Sequence, residues 1–270
     1  MLIDTHCHLD AAEFDTDRDH VVRTAFDNGV SGIVVPAVTR AYFDTVIQLC
    51  HYYPNCVYAL GVHPMYVEQS TLEDIDVLRT YVQKHQPVAI GEIGLDYFLT
   101  NPNTHPENIK LQKHFFVEQL KIAHTYDLPV ILHVRNAIDD VLKQLRKYKV
   151  KGGIAHAFNG SMQQAEQLIA LGFKLGFGGA MTYSRALRIR ALATQLPLEA
   201  IVLETDAPDI SPEWLGGAGR NSPAELLKIA QVLADLRQVD VAQVLDITSA
   251  NAIKIMPKLG ELCTPVKALH

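Results

Sequence analysis

The residue types best suited to chemistry begin at the sixth position, in the run Ile3-Asp4-Thr5-His6-Cys7-His8. A strand leading into this run sends successive side chains to opposite faces, so His6 and His8 point one way and Cys7 the other. Two imidazoles so placed can share one cation, although an isolated pair describes two exposed histidines equally well. Other residues of the same kind decide between these readings. His63 follows Gly61-Val62, Glu92 follows the apolar run 88–91, His133 follows 130–132, His156 follows 153–155, and Asp206 stands just beyond 201–203. Five of the chain's 12 histidines are therefore at the ends of short apolar runs, which random placement would rarely produce. Singly, His133 reads as a core histidine, His156 as a helix cap and the carboxylates as caps or ion-pair partners. Together they read as a metal site of imidazoles and carboxylates, suited to zinc, manganese, magnesium or iron. Glu92, between groups of histidines, is the natural bridge between two cations. Glu204 shares a face with Asp206 but lies deeper, where it would accept a hydrogen bond from a ligand imidazole.

The elements that must position these groups are legible as alternation. Eight apolar runs, 2–4, 32–37, 57–61, 88–91, 130–132, 153–155, 173–177 and 201–203, have the unbroken hydrophobicity of strands buried on both faces. The stretches 110–126, 139–148 and 161–171 between them have helical spacing, with Pro129 and Gly172 as stops. Eight strand-helix units without a Ser/Gly-rich linker predict an α/β fold, a single (β/α)8 TIM barrel. Two further helices are expected at 222–236 and 241–255, giving one domain over 1–256 and a tail over 257–270. In such a barrel, functional groups collect at the carboxyl ends of the strands, where the histidines and carboxylates lie.

Composition narrows the substrates. A net charge of −6 argues against a broad basic groove, so any nucleic acid must be held locally. The chain shows neither a basic-then-apolar leader nor an apolar run of membrane-spanning length, and a cytoplasmic protein is expected. Cys7, Cys50, Cys56 and Cys263 have no zinc-ribbon spacing and read as reduced thiols, Cys7 serving packing. The run Gly176-Phe177-Gly178-Gly179-Ala180 lacks a Walker lysine and a dinucleotide fingerprint, so it is read as a flexible loop beside the barrel mouth.

Five ordered segments carry a family resemblance: 4–10, 61–64, 91–97 (Gly-Glu-Ile-Gly-Leu-Asp-Tyr), 129–135 and 203–208 (Leu-Glu-Thr-Asp-Ala-Pro). With His156-Ala157-Phe158-Asn159-Gly160 and Arg220-Asn221-Ser222-Pro223, they resemble the TatD family of metal-dependent deoxyribonucleases over nearly the whole chain. The resemblance implies a TIM barrel of the amidohydrolase superfamily. It also implies two divalent ions, magnesium, manganese or zinc, one held by His6, His8, Glu92 and Asp206, the other by Glu92, His133 and His156. Many members of that superfamily bridge their metals with a carboxylated lysine; here Glu92 takes the position, as in the TatD branch.

The activity so implied is hydrolysis of phosphodiester bonds in DNA, commonly as an exonuclease; the charge of −6 and a deep barrel mouth make single-stranded ends the expected partner. Glu92 and Asp206 would be catalytic, Asp206 also taking the proton of the attacking water. His63, Arg135 and Arg220 would contact phosphate, His63 being read as a substrate contact ahead of a metal ligand or a loop cap. Hydrolysis of a small amide, ester or lactone on the same barrel is the alternative.

Overall fold

The computed structural model describes residues 1–98, 100 and 103–262. Eight parallel strands pair in chain order: β1 Leu2–Asp4, β2 Val30–Pro36, β3 Cys56–Leu60, β4 Ala89–Asp96, β5 Val130–Arg135, β6 Gly153–Ala155, β7 Phe173–Phe177 and β8 Ile201–Leu203. The helices are α1 Arg18–Asp27, α2 Phe43–Tyr52, α3 Glu73–His85, α4 Pro106–Thr125, α5 Ile138–Lys147, α6 Met162–Ala170, α7 Leu187–Gln195, α8 Leu226–Arg237, α9 Val241–Ile255 and α10 Leu259–Leu262. Strands joined by crossover helices make the expected TIM barrel. No described helix is long and apolar enough to cross a membrane.

The helices form where the pattern asks for them. On α5 the apolar face is Val141, Leu142 and Leu145, all buried, while α6 starts from a capping box in which Ser161 and Gln164 satisfy each other's backbone N–H groups. The barrel closes between β8 and β1 without a regular ladder. Thr5 N–H donates to the Leu203 carbonyl (3.0 Å), Asp206 N–H to His6 (2.8 Å) and His8 N–H to Ala207 (2.8 Å). That seam sets the first histidine pair beside Asp206.

Two apolar clusters stabilise the barrel. The larger lies between strands and helices; the smaller joins Ile3, Val34, Ala59, Ile131, Ile154 and Val202 with Met256 and Leu259. Ile131, Ile154 and Val202 each precede a site residue (His133, His156, Glu204) by two positions, so they occupy the same inward face one pleat deeper. The barrel interior is therefore an apolar floor beneath an ionic mouth, with the end of α9 and α10 closing the bottom. Of the tail expected over 257–270, Leu259 is buried against this floor; 263–270, with Cys263, lie outside the described residues.

Two expectations are corrected. β4 does not stop at Gly91 but runs on to Asp96, with a register shift against β5 between Ile90 and Ile93, so Glu92 projects from within a strand. Gly94 is the close approach to β5, since a Cβ there would clash with the His133 carbonyl. The glycine run that starts in β7 and continues past it is packed rather than loose, for a Cβ at Gly176 would strike the Glu204 carboxylate and one at Gly179 the Ile210 carbonyl.

Candidate metal centre

Seven of the expected residues meet at the mouth, arranged around Glu92, which is 1 % exposed. Its two oxygens face different groups. Oε2 lies 3.2 Å from His6 Nε2 and 3.5 Å from His8 Nε2, and His6 Nε2 is in turn 3.4 Å from Asp206 Oδ1. Oε1 lies 3.0 Å from His133 Nδ1, 2.9 Å from His156 Nε2 and 3.4 Å from His63 Nε2. The rings of His6 and His156 stack at 4.0 Å between centroids, joining the two halves. Three sets have ligand atoms close enough for one ion: His6, His8 and Glu92; His6, His156 and Asp206; and His63, Glu92 and His133.

The donor set fits a divalent cation. The ion-pair partners of Glu92, Asp206 and Glu204 among the described residues are histidines, so no lysine or arginine balances these buried carboxylates. Glu92 Oε2, His6 Nδ1, His156 Nδ1 and Glu204 Oε2 are buried without a hydrogen-bond partner. Imidazole and carboxylate donors without thiolates suit an open, catalytic type of site.

Burial sets the protonation states against one another. It opposes the charge on Glu92, but the surrounding His156, His63 and His6, with the hydrogen bond from His133, outweigh it and hold the carboxyl well below its ordinary range. Burial lowers His6 to about 3, keeping the ring neutral. Burial also raises Asp206, and it pushes Glu204 up to about 8 and Asp4 to about 7. For His156 burial works downward, and the charges of Glu92 and Asp206 more than reverse it, raising the ring to about 10.

His63 is inside the cluster, 6 % exposed, and not at its rim. Its Nδ1 accepts a hydrogen bond from Met65 N–H at 3.1 Å, so the neutral ring carries its proton on Nε2, towards Glu92. That tautomer is a donor and has no lone pair at Nε2 for a cation. The other expected substrate contacts have partners outside the cluster. The Arg220 guanidinium forms a two-pronged ion pair with Asp17 (2.8 and 2.6 Å), and the exposed Arg135 stacks on the Phe98 ring at 3.6 Å. Glu204 Oε1 lies 3.7 Å from His156 Nδ1, beyond hydrogen-bond reach, and accepts instead the N–H of Ala157, which holds that residue at a φ of 44°.

Four buried supports went unread in the sequence. Asp96 Oδ2 is 2.9 Å from His133 Nε2 and fixes the ring whose other nitrogen meets Glu92. Asp4 ties the seam: Oδ1 accepts from the N–H groups of His6 and Thr205, and Oδ2 from the Thr205 hydroxyl at 2.6 Å. Gln112 and Gln119, two turns apart on α4, each clamp one residue's backbone at both its N–H and its carbonyl. Gln119 holds Val62 beside His63, and Gln112 holds Asp96. Polar residues seven apart on an otherwise apolar helix face were the available signal.

Known proteins share this architecture. Residues 3–257 match the family model for TatD-related DNases. YjjV of Escherichia coli, described as an uncharacterized metal-dependent hydrolase, is 38% identical over 239 residues, covering 87% of this chain and 90% of its own. YabD of Bacillus subtilis, described in the same words, is 32% identical over 257 residues, covering 94% and 98%. The crystal structure of YjjV, a TatD homologue, superposes with a TM-score of 0.88 at 35% identity over 95% of this chain and 98% of that one.

Proposed function

This chain belongs to the family of TatD-related DNases and is a metal-dependent hydrolase, and from that premise we propose that it hydrolyses phosphodiester bonds in DNA, releasing nucleotides from single-stranded ends. The observation that carries the reading is the division of Glu92, one oxygen toward His6 and His8, the other toward His133 and His156. His6, His8, Glu92 and Asp206 would hold one divalent ion, and Glu92, His133 and His156 a second. Such a pair supplies a water of lowered pKa and neutralises charge developing on phosphoryl oxygens.

The protein's own groups do the rest. Asp206, raised by burial, is suited to receive the nucleophile's proton. His63, with its proton on Nε2, would donate to a phosphoryl oxygen. Asp96 keeps His133 from rotating and Asp4 keeps the His6 and Asp206 strands in register. The exonuclease form is supported by the charge of −6 and the recessed cluster, which suit a flexible terminus better than a continuous duplex. The test uses end-labelled single strands, circular single strands, RNA and a lactone panel, with metal-loaded and chelated protein. Metal-dependent ladders from linear DNA ends support the reading. Cutting of circles rejects the exonuclease form, and turnover of lactones alone rejects the deoxyribonuclease.

A further inference from the structure

Beside Asp206 lies a cavity of about 690 Å³ that none of the groups above explains, walled by Ala180, Tyr183 and Arg185 from the β7–α7 connection, by Pro208 and Ile210 after β8, and by Arg220. Asp209 N–H donates to the Asp206 carbonyl at 2.9 Å, so this wall is anchored directly to the site. Its volume is within the range of small-ligand pockets, and its lining is mixed, with small apolar residues, one half-buried aromatic ring, Tyr183, and two carboxylates, Glu13 and Asp209. The cationic groups around it are unequally engaged. Arg220 is committed to Asp17 and Arg188, on the far side of the connection, donates to Asn159, whereas Arg185 is exposed, lies 5.4 Å from the Tyr183 ring centroid, and has no carboxylate partner among the described residues.

We propose that this cavity is the nucleobase subsite next to the scissile phosphodiester, with Tyr183 as the stacking platform and Arg185 as the local cation for the adjoining phosphate. The inference rests on the deoxyribonuclease reading and adds to it where the base goes. A flat ring flanked by small apolar residues accepts any base by its π face, and a guanidinium beside it supplies the positive charge that the chain as a whole lacks. The substrate is then read by shape and stacking, without preference for one base.

The experiment measures kcat and KM of the metal-loaded full chain on two single-stranded oligonucleotides, one ordinary and one with an abasic nucleotide at the terminal or penultimate position. Wild type should lose about tenfold on the abasic strand, through KM. Tyr183→Ala should lose about the same on the ordinary strand and nothing further on the abasic one, and Tyr183→Phe should restore discrimination. Tyr183→Leu, which keeps bulk without a π face, stands in should the alanine variant fail to fold. Arg185→Ala should raise KM on both strands and reduce the salt slope by about one phosphate. DNA cleavage in which Tyr183→Ala and Tyr183→Leu keep the wild-type ratio of the two strands overturns the subsite while leaving the deoxyribonuclease intact. A wild type that cleaves neither strand, yet shows metal-dependent turnover of a lactone, overturns both.

Discussion

At the floor of the barrel Ile131, Ile154 and Val202 pack against Met256 and Leu259 from the closing helices; two residues later on the same faces stand His133, His156 and Glu204, among buried carboxylates. The floor gains free energy by removing apolar surface from water. The mouth gives it up, since desolvated carboxylates and unpartnered polar atoms lie there without lysine or arginine to balance them. One set of strands therefore carries two opposed duties, and the difference of a single pleat separates them. A cation bound at the mouth offsets the cost, which couples the stability of this end to its chemistry.

If the division holds, changes at the two ends affect different observables. Glu92→Gln keeps the shape and removes the charge that both histidine groups face, so turnover should fall about 10²-fold or more with the near-ultraviolet circular dichroism unchanged. Near-normal turnover would remove Glu92 from the centre of the account. Ile131→Ala, one pleat below His133, should do the reverse, costing about 2–5 kcal/mol in denaturant unfolding while the rate per folded molecule stays the same. Asp96→Asn sharpens the boundary, for its Oδ2 meets the second nitrogen of His133 while its Oδ1 accepts the Phe98 N–H at 2.8 Å. Metal affinity should drop about 10- to 100-fold by titration calorimetry, and an unchanged affinity would make Asp96 a support of the strand alone.

The pH dependence of the metal-free protein has a definite sign. Glu204 at about 8 and Asp4 at about 7 hold protons in the folded chain that the unfolded chain, with ordinary values of 4.5 and 3.8, has released. Their contribution is full below the unfolded values and is lost as the pH rises through the folded ones. His156, raised by Glu92 and Asp206 despite burial, acts in the same direction, from 6.5 up to about 10. Glu92, held low, contributes oppositely as the pH falls below its ordinary 4.5, and His6 and His63, both lowered by burial, contribute oppositely as the pH falls below their ordinary 6.5. Between pH 6.5 and 8, where the lowered histidines are neutral in both states, the melting temperature of chelated protein should therefore decline, and Glu204→Gln should flatten the decline. A decline just as steep in the variant would assign it to other groups.

Much of this division is legible in the sequence. Apolar runs place β1, β6, β7 and β8 at their observed bounds, and α9 occupies the expected 241–255, because each has a single unbroken pattern ended by turn residues. β4 was cut short because its polar Glu92 and close-packed Gly94 interrupt the pattern at the place where the strand does its work. Asp96 was missed for the same reason, being visible as a support only once β4 reaches it. Gln112 and Gln119 were hidden by a helix whose apolar residues explained it without them. Arg220 carries information the sequence lacks: a basic residue in a motif suggests phosphate, and only the fold reveals its ion pair with Asp17.

The central claim, that the mouth is a metal centre organised by Glu92, is tested most directly by counting ions. Titration calorimetry of chelated, refilled wild type and Glu92→Gln with zinc or manganese, checked by elemental analysis, reads occupancy without reference to any substrate. Two ions per wild-type chain, with loss of at least one in the folded Glu92→Gln protein, is the predicted result; a folded wild type that binds none, or a variant that still binds both with unchanged affinity, would contradict it.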